Sequence, residues 1–194
     1  MNIVDNFLPI DYYEELKSSF TNSKFPWYYL PYTASPTDKR KRFNGTFSNV
    51  LYNKTSNGII NNSDLVNLKP IFEFLSKYVN CKIDVLSARL GLITATPYRV
   101  THSAHIDLPF PHKTAVIYFS RCSNAPTILY DAFYNGSDVQ GPEEEICREV
   151  EAHASFVYSE CIENNMLIFN GLQFHSSTSP VLEENRIALN INFI

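Results

Sequence analysis

An α+β fold, mainly β, is what this sequence predicts, and three observations carry the expectation. The first 81 residues hold two stretches of helical periodicity, whereas from Lys82 onward the chain breaks into short apolar or alternating runs. Aromatic residues make up 14% of the 194, twelve Tyr and fourteen Phe among them, and such side chains pack well on pleated surfaces. Gly, Pro, Asn and Asp punctuate the runs in the manner of turns between the strands of a sandwich or barrel.

Taken in order, residues 11–20 predict a short amphipathic helix, because Tyr12, Leu16 and Phe20 recur at helical spacing. Residues 26–33 are aromatic-rich and extended, and a polar stretch of Asn, Ser, Thr and Lys up to about residue 62 reads as loop. Ser63 or Asp64 can cap a second helix running to Val79, with Leu65, Leu68, Phe72 and Leu75 as its apolar stripe and Pro70 as a kink or break. Strands are expected over 83–95, 104–107, 114–119, 127–130, 149–158, 166–169 and 186–194. The length and 44% hydrophobic content suit a single domain over 1–194, divided into a helical, loop-rich part (1–81) and a β core (82–194).

A formal net charge of −4 argues against a generic nucleic-acid binder, whose balance is normally basic. The run Lys39-Arg40-Lys41-Arg42 is then most simply a solvated loop face, with a nucleic-acid or acidic partner as the alternative. No secretory leader or membrane span is visible, and Cys81, Cys122, Cys147 and Cys161 lack C-x-x-C spacing. Reduced structural thiols in a cytoplasmic protein are the expectation. Gly141-Pro142-Glu143-Glu144-Glu145 reads as an acidic turn or helix start, and Trp27 as an aromatic core plug rather than a pocket wall.

The chemistry-bearing pattern is His105-Ile106-Asp107, followed 68 residues later by His175 and then by Arg186. Alone it is cheap: with 5 His and 8 Asp, chance gives about 0.2 His-x-Asp matches in such a chain. On an extended segment, however, residues i and i+2 share a face, so His105 and Asp107 project together. Two imidazoles and one carboxylate suit a non-haem Fe(II) centre with open coordination positions, whereas a closed zinc site needs a fourth ligand, for which His102 is a candidate. In the final run Arg186, Ala188, Asn190 and Asn192 share one face, opposite Ile187, Leu189, Ile191 and Phe193. Arg186 then either meets a carboxylate inside a barrel mouth or forms a strand-end salt bridge to Glu183 or Glu184. Tyr118 is either core or a hydrogen-bond donor to that same carboxylate.

The segments HID (105–107), TAVIYFS (114–120), TILYD (127–131), NMLIFNGLQFHSST (165–178) and RIALNINFI (186–194) together resemble the 2-oxoglutarate/Fe(II)-dependent dioxygenase superfamily, on the side of its prolyl-4-hydroxylase-like and phage-encoded members. The resemblance covers about residues 82–194, with a weaker echo in the opening IVDNFLPIDYYEELK. It implies a double-stranded β-helix (jelly-roll) core with N-terminal helices packed on one sheet. It further implies His105, Asp107 and His175 as Fe(II) ligands, Arg186 as the partner of the 2-oxoglutarate C5 carboxylate, and Tyr118 as a second contact to it. The implied activity is hydroxylation of a substrate C–H bond with O2, releasing succinate and CO2. A small molecule or a peptide is the expected substrate, a prolyl residue the first guess; neither nucleic acid nor a membrane is the expected partner. The chain departs from the family where many members carry Gly-Gly, having Asn124-Ala125-Pro126, and where many carry Ser or Thr, having Ala188.

Two other readings stand beside this one: a catalytically silent metal-binding scaffold of the same fold, and a cupin-like metalloenzyme that does not use 2-oxoglutarate. Substrate specificity is expected from the irregular stretches 33–62 and 133–145, since long loops around a rigid core usually carry it.

Overall fold

The structure, a computed structural model, describes residues 1–34, 43, 45–54, 60–61, 66–135, 142–182 and 185–194. The basic run 39–42, the proposed cap at 63 or 64 and the glutamates 183 and 184 lie outside them.

Alternation along the chain produces two antiparallel sheets. The larger has the order β1 (Asn2–Val4), β9 (Met166–Asn170), β6 (Lys113–Tyr118), β11 (Asn185–Phe193), β5 (Val85–Thr94), β3 (Thr46–Asn53), β2 (Tyr28–Leu30), with β4 (Ile60–Asn61) also pairing with β3. The smaller has the order β10 (Gln173–Ser177), β7 (Cys122–Phe133), β8 (Phe156–Cys161). Residues 100–105 run antiparallel to β10, held by amide bonds from His102 to Ser177 O (2.9 Å) and from Ser179 to Val100 O (2.9 Å). Two such sheets facing each other make the jelly roll that the resemblance implies.

The two faces of β11 show how the layers form. Ile187, Leu189, Ile191 and Phe193 join Leu90 of β5 and Ile117 of β6 in one core, which also takes in Tyr13, Leu16 and Phe20 of α1 (Ile10–Thr21) and Ile71 and Leu75 of α2 (Lys69–Val79). Both helices therefore cover the outer face of the large sheet. Val116, Tyr118 and Ala188 instead meet Cys122, Ala125 and Leu129 of β7 between the sheets. A third cluster, with Ile128, Tyr130 and Phe174, seats Cys147 of α3 (Glu144–His153) on the outer face of the small sheet. Trp27 packs against the first core, and all four cysteines are free thiols. Among the described residues no helix is long and apolar enough to cross a membrane.

Four expectations are corrected. The second helix begins at Lys69, not at residue 63 or 64, because residues 66–68 are non-helical and Pro70 occupies the first turn, where a missing N–H costs nothing. In the first helix Tyr13 rather than Tyr12 is fully buried. The expected strand over 149–158 is split: Glu149 to His153 belong to α3, whose acidic first turn and terminal His153 complement its dipole, and only β8 is extended. The polar stretch before residue 62 contains β3, a strand paired on both sides whose buried Thr46 and Ser48 face the interior of the roll.

A candidate metal and carboxylate site between the sheets

His175 sits in the middle of β10, and His105 lies opposite it in an isolated antiparallel bridge rather than in the strand expected over 104–107. Each backbone amide donates to the other residue's carbonyl at 3.0 Å. The loop carrying His105 is anchored from α3, where Glu151 accepts the Ala104 amide at 2.8 Å. Asp107 follows two residues later, so all three side chains point to one spot between the sheets.

One donor atom from each of His105, Asp107 and His175 lies within 4.8 Å of the others. His105 Nε2 stands 4.0 Å from Asp107 Oδ1, and His175 Nε2 stands 3.8 Å from Asp107 Oδ2. Both Nδ1 atoms are engaged by backbone carbonyls two residues back, Ser103 O at 3.0 Å and Gln173 O at 3.1 Å. A carbonyl oxygen can only accept, so each Nδ1 carries a proton and Nε2 is the nitrogen left to meet a metal ion beside Asp107. Asn190 of β11 donates from Nδ2 to Asp107 Oδ2 at 3.0 Å and fixes the carboxylate from the opposite sheet.

Electrostatics keeps two members of this donor set, His105 and Asp107, deprotonated. Burial, reinforced by His175, pulls the His105 imidazole down to about 4, against the opposing attraction of Asp107. For Asp107, burial alone would raise the carboxyl, but His175, His105 and Arg89 together with the Asn190 hydrogen bond hold it well below the usual carboxylate range. Lone pairs on two imidazoles and one anionic oxygen fit a divalent metal of the Fe(II) type. His102 does not join the group: it is fully buried, and its Nδ1 meets Ser177 Oγ at 2.8 Å.

Arg186 lies in the same cavity and is only 5% exposed. Its Nε donates to Ala125 O at 3.1 Å and its Nη2 to Thr127 Oγ1 at 2.8 Å, while its guanidinium carbon sits 5.5 Å from the centre of the Tyr118 ring. Among the described residues no carboxylate lies within 4.0 Å of it. Such a buried cation is costly to hold unless an anion joins it. Tyr118 stands behind Thr127: its hydroxyl meets Thr127 Oγ1 at 2.8 Å and Ser159 Oγ at 3.4 Å, and it does not line the cavity. Burial pushes its phenol up, with Arg186 opposing.

Sequence reasoning missed three residues here. Asn190 shares the period-2 face of Arg186, which was the available signal. Thr127 and Arg89 carried none beyond lying on strands, and both line the cavity.

No family model matches the chain, and no curated protein matches it by sequence. Solved structures do resemble it. An oxidoreductase of the 2OG-Fe(II) oxygenase family from Burkholderia pseudomallei superposes with a TM-score of 0.67 over 98% of this chain and 83% of its own, at 9% identity. The epimerase SnoN, in complex with Fe3+, alpha ketoglutarate and nogalamycin RO, gives 0.64 over 99% and 77%, at 9% identity. A prolyl hydroxylase from Trichoplax adhaerens, in complex with a hypoxia inducible factor peptide fragment, gives 0.63 over 100% and 82%, at 12% identity. At these identities it is the fold that is shared.

Proposed function

We propose that this protein is a non-haem Fe(II)- and 2-oxoglutarate-dependent oxygenase that hydroxylates a substrate C–H bond. The observation that carries the reading is that the cavity lined by His105 and His175 of the three-donor cluster also holds a buried guanidinium that no described carboxylate neutralises. A silent scaffold has no use for that combination, and a metalloenzyme without a dicarboxylate cosubstrate has no use for Arg186.

In this reading His105, Asp107 and His175 hold the metal, and their Nδ1 hydrogen bonds and Asn190 keep them aimed at it. Arg186 takes the distal carboxylate of 2-oxoglutarate, with Ala125 O and Thr127 Oγ1 fixing the plane of its fork and Tyr118 backing Thr127. Loaded with Fe(II), 2-oxoglutarate and O2, the centre supplies C–H oxidation coupled to release of succinate and CO2. Val116, Ala188 and Ile93 give the cavity apolar walls.

The test is anaerobic titration of the Fe(II)-loaded protein with 2-oxoglutarate. A visible charge-transfer band is expected, absent in His175→Ala and displaced to much higher 2-oxoglutarate concentration in Arg186→Gln. A folded protein that gives no band and forms no succinate overturns the assignment.

A further inference from the structure

The cavity face of the large sheet is laid out in rows, because residues paired across antiparallel strands point to the same side. Asn190, Arg89 and Val50 form one row across β11, β5 and β3. Ala188, Gly91 and Ser48 form the next, extended on β2 by Tyr28 opposite Ser48. Arg186 pairs with Ile93, four residues along β5 from Arg89, so the two arginines stand roughly 13 Å apart along the strand.

These two cations differ in kind. Arg186 is buried and hydrogen-bonded by the protein, whereas Arg89 lines the same cavity but is exposed, next to the Asn190 that holds Asp107. Among the described residues no carboxylate comes within 4.0 Å of the Arg89 guanidinium. The row beside it is built of small side chains, and a Cβ added to Gly91 would meet only the Ala188 carbonyl oxygen, at 3.9 Å. The cavity thus runs along Arg89 and the row of Ala188, Gly91 and Ser48, and Tyr28, next in register on β2, is 62% exposed.

Charge balance says what belongs there. Fe(II) brings two positive charges, Asp107 one negative, and Arg89 and Arg186 one positive each; the 2-oxoglutarate dianion removes two of the resulting three, leaving about one positive charge at the Arg89 end. We propose, resting on the oxygenase reading above, that the substrate is a small anion bearing a carboxylate or phosphate, and that Arg89 binds that group while the Ala188-Gly91-Ser48 row accommodates the rest of the molecule. Arg89 is then a specificity-determining residue, and a neutral analogue loses the contact that orients it.

The experiment uses the Mn(II)-loaded protein with saturating 2-oxoglutarate, where no turnover occurs. Inorganic phosphate is followed by its 31P line width and acetate by its methyl 1H line width, since bound Mn(II) broadens only nuclei held close to it. Excess broadening of at least one anion is expected, reduced fivefold or more in Arg89→Gln and partly restored in Arg89→Lys, and which anion broadens distinguishes carboxylate from phosphate. Equal broadening in wild type and Arg89→Gln, or no broadening with either anion, overturns the inference. So does a fall in 2-oxoglutarate affinity in Arg89→Gln as large as the fall in anion binding, which would assign Arg89 to the cosubstrate. Unbound Mn(II), read from its free electron-paramagnetic signal, removes the metal-centre reading and this inference with it; the other failures remove this inference alone.

Discussion

His105 and His175 exchange backbone hydrogen bonds at 3.0 Å in both directions, so two imidazoles 70 residues apart in the chain are locked in register with ring centres 4.4 Å apart. The bridge sets the spacing of the donor cluster before any metal enters, and what surrounds it can be probed position by position.

Asn190 is the only described side chain of β11 that hydrogen-bonds Asp107, through its amide at 3.0 Å. Asn190→Ala frees the carboxylate to rotate, and the affinity for Fe(II) or Mn(II) is expected to fall about 10- to 100-fold with the fold intact. Metal titration monitored by calorimetry measures it.

Arg186→Gln removes the buried cation while leaving the donor cluster untouched. Loss of a charge-assisted pair corresponds to roughly 2–3 kcal/mol, or about 30- to 150-fold weaker 2-oxoglutarate binding, with metal affinity unchanged. Tyr118→Phe reaches Arg186 through Thr127, losing the hydroxyl's contacts to Thr127 and Ser159, and is expected to cost less than about fivefold. Titration of the charge-transfer absorbance ranks the two variants, and a Tyr118→Phe effect equal to that of Arg186→Gln would show direct contact with the cosubstrate.

The metal-free protein is expected to lose stability in acid. His105 is pulled from 6.5 to about 4, so between those values the unfolded chain binds a proton that the folded chain refuses. Stability is therefore full above about pH 6.5, declines as pH falls, and has lost the His105 contribution by pH 4. With its side chain 19% exposed, the loss is on the order of 2–3 kcal/mol. Denaturant midpoints measured with and without bound metal test the sign: the metal-loaded protein, whose imidazoles are engaged, should hold its stability further into this window.

Gly171, at the turn between β9 and β10, has no room for a side chain: a Cβ there would lie 2.1 Å from Nε2 of the buried His112, whose carbonyl oxygen accepts the Gly171 amide at 2.9 Å. Gly171→Ala forces that ring aside and is expected to cost about 1–3 kcal/mol, read as a lower Tm. In a Gly171→Ala/His112→Ala double variant the steric part of the penalty should vanish, leaving only the cost of losing the imidazole.

Elements whose burial is one-sided and local could be read directly from residue order. β11 was legible because Ile187, Leu189, Ile191 and Phe193 alternate with Arg186, Ala188 and Asn190, and the structure puts the first set under the helices and the second into the cavity. β3 was not, since Thr46 and Ser48 turn polar side chains inward to line the cavity and so erase the alternation that marks a strand. The segment 149–158 misled for the opposite reason: β8 exposes Phe156, Val157 and Tyr158, each about half accessible, and that apolar run carried the strand reading back into α3. The candidate donors His105, Asp107 and His175 and the candidate cation Arg186 could be named from residue type and order. Their convergence could not, because it depends on inter-strand register: which carbonyl His105 meets, that Asn190 and not Arg186 reaches Asp107, and that Arg89 stands beside Asn190. Hydrogen-bond pairing between strands far apart in the chain decides such neighbours, and no local pattern encodes it.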